Sequence, residues 1–309
     1  MSGQSRIHRF SIVALISVLS ASAAACSGFV SAQNEIMFGR QVNLIIWDPD
    51  EKVQHFIRSA SFEGSSREFG FIAPTPSVPE LSEAQSDVFD ILEVQRPRGS
   101  SIGCSKSEEA ASTAGSTGVE VVQEVRVGDY DVKTLKATDA SALAAYLKEH
   151  DYELPADQEQ WVGHYVEKNW YLTTFQVRKD ARTGALQTSA IRMTFVTERP
   201  FNPYYVPASN IGETPGGLKL YTLSPAPLKG TLEGEPWQRP EWSKRINEQV
   251  AQTVSEKVGL SPQAIPGNLV LSAYSDLEFP RANAPDISFV QAWAAEVKLP
   301  PSDLFFGSL

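Results

Sequence analysis

Sulfur and imidazole are scarce in this chain: its 309 residues hold two cysteines, three methionines and four histidines. They stand in none of the zinc-finger spacings, so a structural zinc module is not expected. Positive charge is short too, with 27 Lys plus Arg against 37 Asp plus Glu and a formal net charge of -10. Nucleic-acid binding needs clustered cations that release counterions, and membrane-surface binding needs a polybasic patch, so neither partner is expected. Beyond the N-terminus no apolar run approaches the ~18 residues of a transmembrane helix. No G-x-x-x-x-G-K or G-x-G-x-x-G is present to cradle a phosphate, and no H-E-x-x-H to hold zinc. No long period repeats, which excludes a solenoid or propeller. No cofactor is expected.

What is present suffices for a sizeable core: 42% apolar and 21% charged residues, too apolar for global disorder and enough for one large domain or two ordinary ones. The start, MSGQSRIHRFSIVALISVLSASAAAC, reads as an export signal over residues 1-25. Arg6 and Arg9 lead, Phe10 to Leu19 form the apolar stretch, and Ser20 to Ala25 are small. Residues 26-309 are then one exported domain, with a loop at 96-118 and a C-terminal subdomain at 236-309 as finer divisions. Cys26 and Cys104 form an even pair of thiols in an oxidising compartment, which suggests a disulfide. Closing a loop of that length stabilises by roughly 4 to 5 kcal/mol in the chain-entropy model. A lipid anchor at Cys26 is the alternative, although Ala23 stands where lipoprotein signals usually carry Leu.

Pattern along the chain gives an α+β fold with a mainly antiparallel sheet built from hairpins and about three helices. Gln41 to Trp47 and Lys52 to Phe62 flank the turn Asp48-Pro49-Asp50-Glu51, and Phe69 to Ala73 follows as a strand. Ser82 caps a helix expected to run to Val94. VEVVQEVRV and DVKTLKA alternate around Gly128-Asp129-Tyr130 as a second hairpin. Asp139 opens a helix to about Asp151, with Leu143, Tyr146, Leu147 and His150 on one face. Trp161 to Val177, Ala185 to Thr197, Leu218 to Leu223 and Leu269 to Glu278 are expected strands. Pro200 to Pro215 is a proline and tyrosine loop. Pro240 to Gly259 is an expected helix, and the C-terminal remainder is read as irregular.

Several stretches together resemble one bacterial family, domain of unknown function 2330. They are ACSGF, FGFIAPTPSVPEL, VEVVQEVRVGDYDVKTLKATDASALAAYLKEHDY, RPFNPYYVP, GLKLYTLSPAPLKGTL and YSDLEFPRANAPDISF. The block from Val119 to Tyr152 is the most specific. The resemblance implies an exported bacterial protein with a cysteine near its mature N-terminus, and it brings no reaction or catalytic residue. The chain departs from some relatives in having only two cysteines and no C-terminal anchor.

Candidate chemistry fails its context. Gly99-Ser100-Ser101-Ile102-Gly103 matches G-x-S-x-G, but neither a strand before it nor a helix after it is expected, as a nucleophile elbow requires. Cys104 as a nucleophile would need a histidine beside it. Asp48, Asp50 and Glu51, like Asp129 and Asp131, read as solvated hairpin tips without EF-hand spacing. Trp161 and His164 in WVGHYVEKNWYL, with Tyr204 and Tyr205 in the proline loop, are the candidate binding residues. Aromatics on rigid backbone give contact area at low entropic cost. In the expected strand, His164 shares its side with Val162, Val166 and Lys168. The function expected is an exported envelope protein, non-catalytic, binding an envelope protein or polymer. A secreted hydrolase acting on a polymer or peptide is the alternative.

Overall fold

The computed structural model describes residues 22–23, 29–31, 36–64, 69–97, 119–150, 156–178, 186–187, 189–211 and 214–292. The first half of the chain forms β1 (Ser22–Ala23), β2 (Phe29–Ser31), β3 (Ile36–Asp48), β4 (Val53–Gly64), β5 (Phe69–Thr75), β6 (Glu80–Ala84), α1 (Val88–Val94), β7 (Val119–Val127), β8 (Tyr130–Ala137) and α2 (Ala140–Glu149). It continues with α3 (Ala156–Glu167), β9 (Tyr171–Val177), β10 (Leu186–Gln187), β11 (Ala190–Val196), β12 (Phe201–Asn202) and β13 (Thr214–Pro215). Then follow β14 (Leu218–Ser224), β15 (Leu228–Leu232), β16 (Glu235–Pro236), β17 (Trp242–Arg245), α4 (Glu248–Lys257), β18 (Val270–Asp276) and β19 (Ile287–Gln291). The export signal, apart from β1, lies outside the described residues, as do Cys26, Cys104 and the Gly99–Gly103 motif.

The spine is the hairpin of β3 and β4. Its turn forms because the Asp48 carboxylate accepts the N–H of Asp50 at 2.9 Å and of Glu51 at 3.1 Å, which is local side-chain capping of a turn. Around this hairpin the main sheet runs β17-β18-β14-β3-β4-β11-β6, with β10 also on β4. Its pairs are antiparallel except β14 with β3. A second sheet runs β2-β5-β9-β8-β7, a third β12-β19-β15-β16, and β1 pairs with β13. The fold is α+β and mainly antiparallel.

Strand alternation sorts the core. Ile45, Phe56, Met193 and Leu220 face the second and third sheets, where they meet Phe71, Tyr130, Phe175, Phe201 and Phe289. Leu44, Ile57, Leu223 and Leu271 face the other way, under Val88 and Leu92 of α1 and Val254 of α4. The outer face of the second sheet packs Leu135 and Leu172 against α2 and α3. The result is four layers: helices, main sheet, smaller sheets, helices. β17, β18 and α4 belong to these layers, so the stretch 236–292 shares the common core.

Among the described residues there are four α-helices, and α3 overturns the strand expected from Trp161. Gln158, Trp161, Val162 and Tyr165 are the buried positions of α3, a helical stripe. Asp157 and Glu159 complement the dipole at its start. Asn169, left-handed at φ 59°, ends it, and the Trp170 N–H returns to the Tyr165 carbonyl at 3.0 Å. Two helix starts are also corrected. Ser82 lies in edge strand β6, opposite Arg192 of β11, and α1 begins after Asp87. Trp242–Arg245 pairs with β18, and α4 starts where the Asn247 side chain accepts the Val250 N–H at 2.9 Å. The expectation at Asp139 holds: its carboxylate accepts the Ala142 N–H at 2.7 Å and caps α2.

One glycine is set by packing. A Cβ at Gly230 would stand 2.8 Å from the Trp237 ring, 3.1 Å from Ile287 and 3.2 Å from Phe289. Gly230→Ala is expected to lower stability by about 1–3 kcal/mol through overpacking. Urea unfolding checks it; an unchanged midpoint would mean that the third sheet yields freely.

Candidate functional site

Helix α3 and the loop after β12 bring the four aromatic candidates of the sequence together. The link is Asp286, whose Oδ1 accepts the backbone N–H of Tyr204 at 2.8 Å, that of Tyr205 at 3.1 Å and the Tyr165 hydroxyl at 2.9 Å. The Trp161 indole N–H donates to the Tyr205 carbonyl at 2.9 Å. The His164 ring stands edge-on to Tyr205 with centroids 5.2 Å apart. The Ser209 N–H donates to Asp157 at 2.7 Å, fastening the far end of the loop to the first turn of α3.

Beneath this lies a second, buried knot. The Tyr204 hydroxyl donates to Asp276 Oδ2 at 2.6 Å, and Arg281 grips the same carboxylate at 2.8 and 3.0 Å. Burial, followed by the Asp276 carboxylate, drives the Tyr204 phenol far above the ordinary tyrosine range. Tyr204 and Trp161 are fully buried; they hold the loop and offer no surface to a ligand. His164 and Tyr205 are half-buried and reach solvent. Burial and then Lys168 hold the His164 imidazole below its ordinary pKa, with Asp286, Glu167 and Glu233 partly offsetting them. The Tyr205 phenol is raised by burial, then by Asp157 and Asp286. The strand-based environment of His164 does not survive: on a helix its nearest rings are Tyr165 and Tyr205.

A second feature had no sequence signal. Where β8 and β11 end and β4 and β9 begin, the main and second sheets part and leave a mouth of about 620 Å³. Val53, Val78, Phe195, Val196 and Tyr171 supply apolar walls, and Ser77, Glu80, Lys136, Asn169 and Thr194 supply polar groups. An adjoining trough of about 590 Å³ shares Lys136 and Asn169 and is walled by Val119, Glu120 and Val166. Lys136 Nζ donates to the Asn169 carbonyl and lies 4.3 Å from the centroid of the Tyr171 ring, a cation–π contact. Burial holds the Lys136 ammonium below the usual lysine pKa. In DVKTLKA this residue reads only as one alternating strand position.

The remaining polar clusters fasten elements together. Ser189 Oγ lies 2.8 Å from Glu83 and 2.7 Å from Asp129, which ties the β7–β8 turn to the main sheet. His55 Nδ1 lies 2.8 Å from Thr194 Oγ1. Among the described residues no group of three or more His, Cys, Asp or Glu is placed to hold a metal ion, and no helix is long and apolar enough to cross a membrane.

A family model described as an uncharacterised protein conserved in bacteria, domain of unknown function 2330, matches residues 20–230. The chain belongs to this family. In this DUF2330 member the matched stretch contains α3, the tyrosine loop and the mouth. Asp276, Arg281 and Asp286, which fasten that loop, come from beyond it. No curated protein matches the chain. A solved structure, the crystal structure of baculovirus P35, is similar at 10% identity over 84% of this chain and 92% of that one, with a TM-score of 0.39. A likeness at that level carries no argument about the DUF2330 fold or its role.

Proposed function

We propose that this DUF2330 member is an exported protein of the bacterial envelope whose role is non-catalytic binding. The signal-like start supports export. The observation that carries the binding role is the mouth between the sheets, open to solvent and walled by apolar side chains beside a braced aromatic loop. Open, largely preformed concavities with few polar groups suit holding a ligand or a partner segment. Glu80 at the mouth is paired with Arg192 at 2.6 Å, and Lys52 beside it with Glu198 at 2.6 Å. Cys26 joined to Cys104 completes the proposal, with acylation of Cys26 as its competitor.

Intact-mass and N-terminal analysis of the native polypeptide tests this. Recovery from the envelope or medium, starting after Ala23 or Ala25 and lighter by two hydrogens than the reduced chain, is expected. A diacylglycerol mass on Cys26 would replace the disulfide by an anchor. A polypeptide recovered from the cytosol still starting at Met1 would remove the export reading.

A further inference from the structure

The mouth is apolar on several sides, and the cation Lys136 lines it. Lys136 lies on the inner face of the second sheet, in step with Tyr130 and Val132, which enter the core between the sheets. Its register partner across β7 is Glu120, yet its ammonium turns away, to the Asn169 carbonyl and the Tyr171 ring. Glu80 on the opposite wall is held by Arg192 at 2.6 Å. The described partners of Lys136 are thus a carbonyl and a ring face, neither of which neutralises its charge. Around it, Val78 and Val196 remain 40% and 56% exposed, and Phe195 continues inward to Phe201 at 5.7 Å between centroids.

We propose that the mouth binds a small amphiphilic carboxylate, an aliphatic acid whose head group meets Lys136 and whose tail lies along Val53, Phe195 and Val196. A carboxylate supplies the charge-assisted partner that the ammonium lacks. The tail covers valines that otherwise face water, and the aromatic ladder behind Phe195 closes the inner end. This inference rests on the binding role proposed above and names its ligand class.

Titration of the mature protein with hexanoate, octanoate and decanoate, followed by calorimetry and valine methyl shifts, is the test. Saturable one-to-one binding is expected, tightening by about threefold to fourfold for each added methylene. Lys136→Met should weaken decanoate binding tenfold or more, and Lys136→Arg should restore most of it. Val196→Asp should weaken it while leaving the unfolding midpoint unchanged. Decanol should bind at least tenfold more weakly than decanoate. The proposal is overturned by no saturable decanoate binding up to millimolar concentration, by equal affinity for decanol, or by indifference to Lys136→Met. Failure here in a protein that is located in the envelope removes the ligand class alone, whereas the mass analysis bears on the exported binding role itself.

Discussion

Replacing Asp276 by alanine is expected to destabilise the fold by about 3–5 kcal/mol, the range for removing one partner of a buried ion pair. Asp276 is 1% exposed. Its two oxygens accept from Arg281 at 2.8 and 3.0 Å, the Tyr204 hydroxyl at 2.6 Å, the Glu278 N–H at 3.1 Å and the Trp237 indole at 3.4 Å. Without the carboxylate, a phenol, an indole N–H and a backbone N–H lose an acceptor together, and the Arg281 guanidinium keeps Glu278 at 3.0 Å. Tyr204→Phe removes one donor and should cost about 1–2 kcal/mol. The two changes share one network, so the double variant should lose clearly less than the sum of the singles. Urea unfolding of the four proteins measures this. An unchanged midpoint in Asp276→Ala, or strict additivity, would show that the carboxylate does not organise the knot.

Acid should weaken the protein through His55. Burial first, then Arg192, lowers its pKa from 6.5 to about 4, with Glu80 and Asp48 partly opposing. A base whose pKa is depressed on folding binds more protons when unfolded, so stability rises with pH through that window and falls as pH drops from about 6.5 towards 4. The full shift corresponds to about 3 kcal/mol lost between neutral pH and pH 4. His55→Gln keeps a group able to bond Thr194 Oγ1, 2.8 Å away in the native protein, and cannot take up the proton. Comparing unfolding free energies at pH 7 and pH 4, wild type should lose about 3 kcal/mol more than this variant. Equal acid losses would place the sensitivity in the carboxylates instead.

Much of the sheet was legible because its causes are local. Asp48-Pro49-Asp50 and Gly128-Asp129 announce turns, alternation announces the strands that flank them, and Asp139 announces α2. The errors came where two signals compete in one segment. In WVGHYVEKNWYL, aromatics and valines suit a pleated surface, yet Gln158, Trp161, Val162 and Tyr165 form a helical stripe once α3 packs on the second sheet. Ser82 reads as a helix cap because it stands before an apolar series, but it falls on the free edge of β11 and is used there as a strand. β19 was missed because its pairing with β12 and β15 is remote in sequence.

The candidate site was half visible. Prolines and tyrosines drew attention to Tyr204 and Tyr205, and the tryptophan-flanked histidine to Trp161 and His164; these four do come together. What orders them has no signal of its own: Asp276 closes the expected strand Leu269 to Glu278 and Asp286 lies in the remainder read as irregular, and each gains meaning only through bonds to residues far along the chain. Lys136 was invisible for a related reason. An alternating lysine is ordinary until β4 and β11 of one sheet end beside β8 and β9 of another.

The tyrosine loop is preformed, fixed in the free protein by Asp286. Hydrogen exchange of the Tyr204 and Tyr205 backbone amides in the unliganded mature protein tests it most directly. Both amides should be protected alongside those of Val270–Asp276, because Asp286 accepts them at 2.8 and 3.1 Å. Exchange at the rate of a solvated, unbonded loop would contradict the bracing by Asp286.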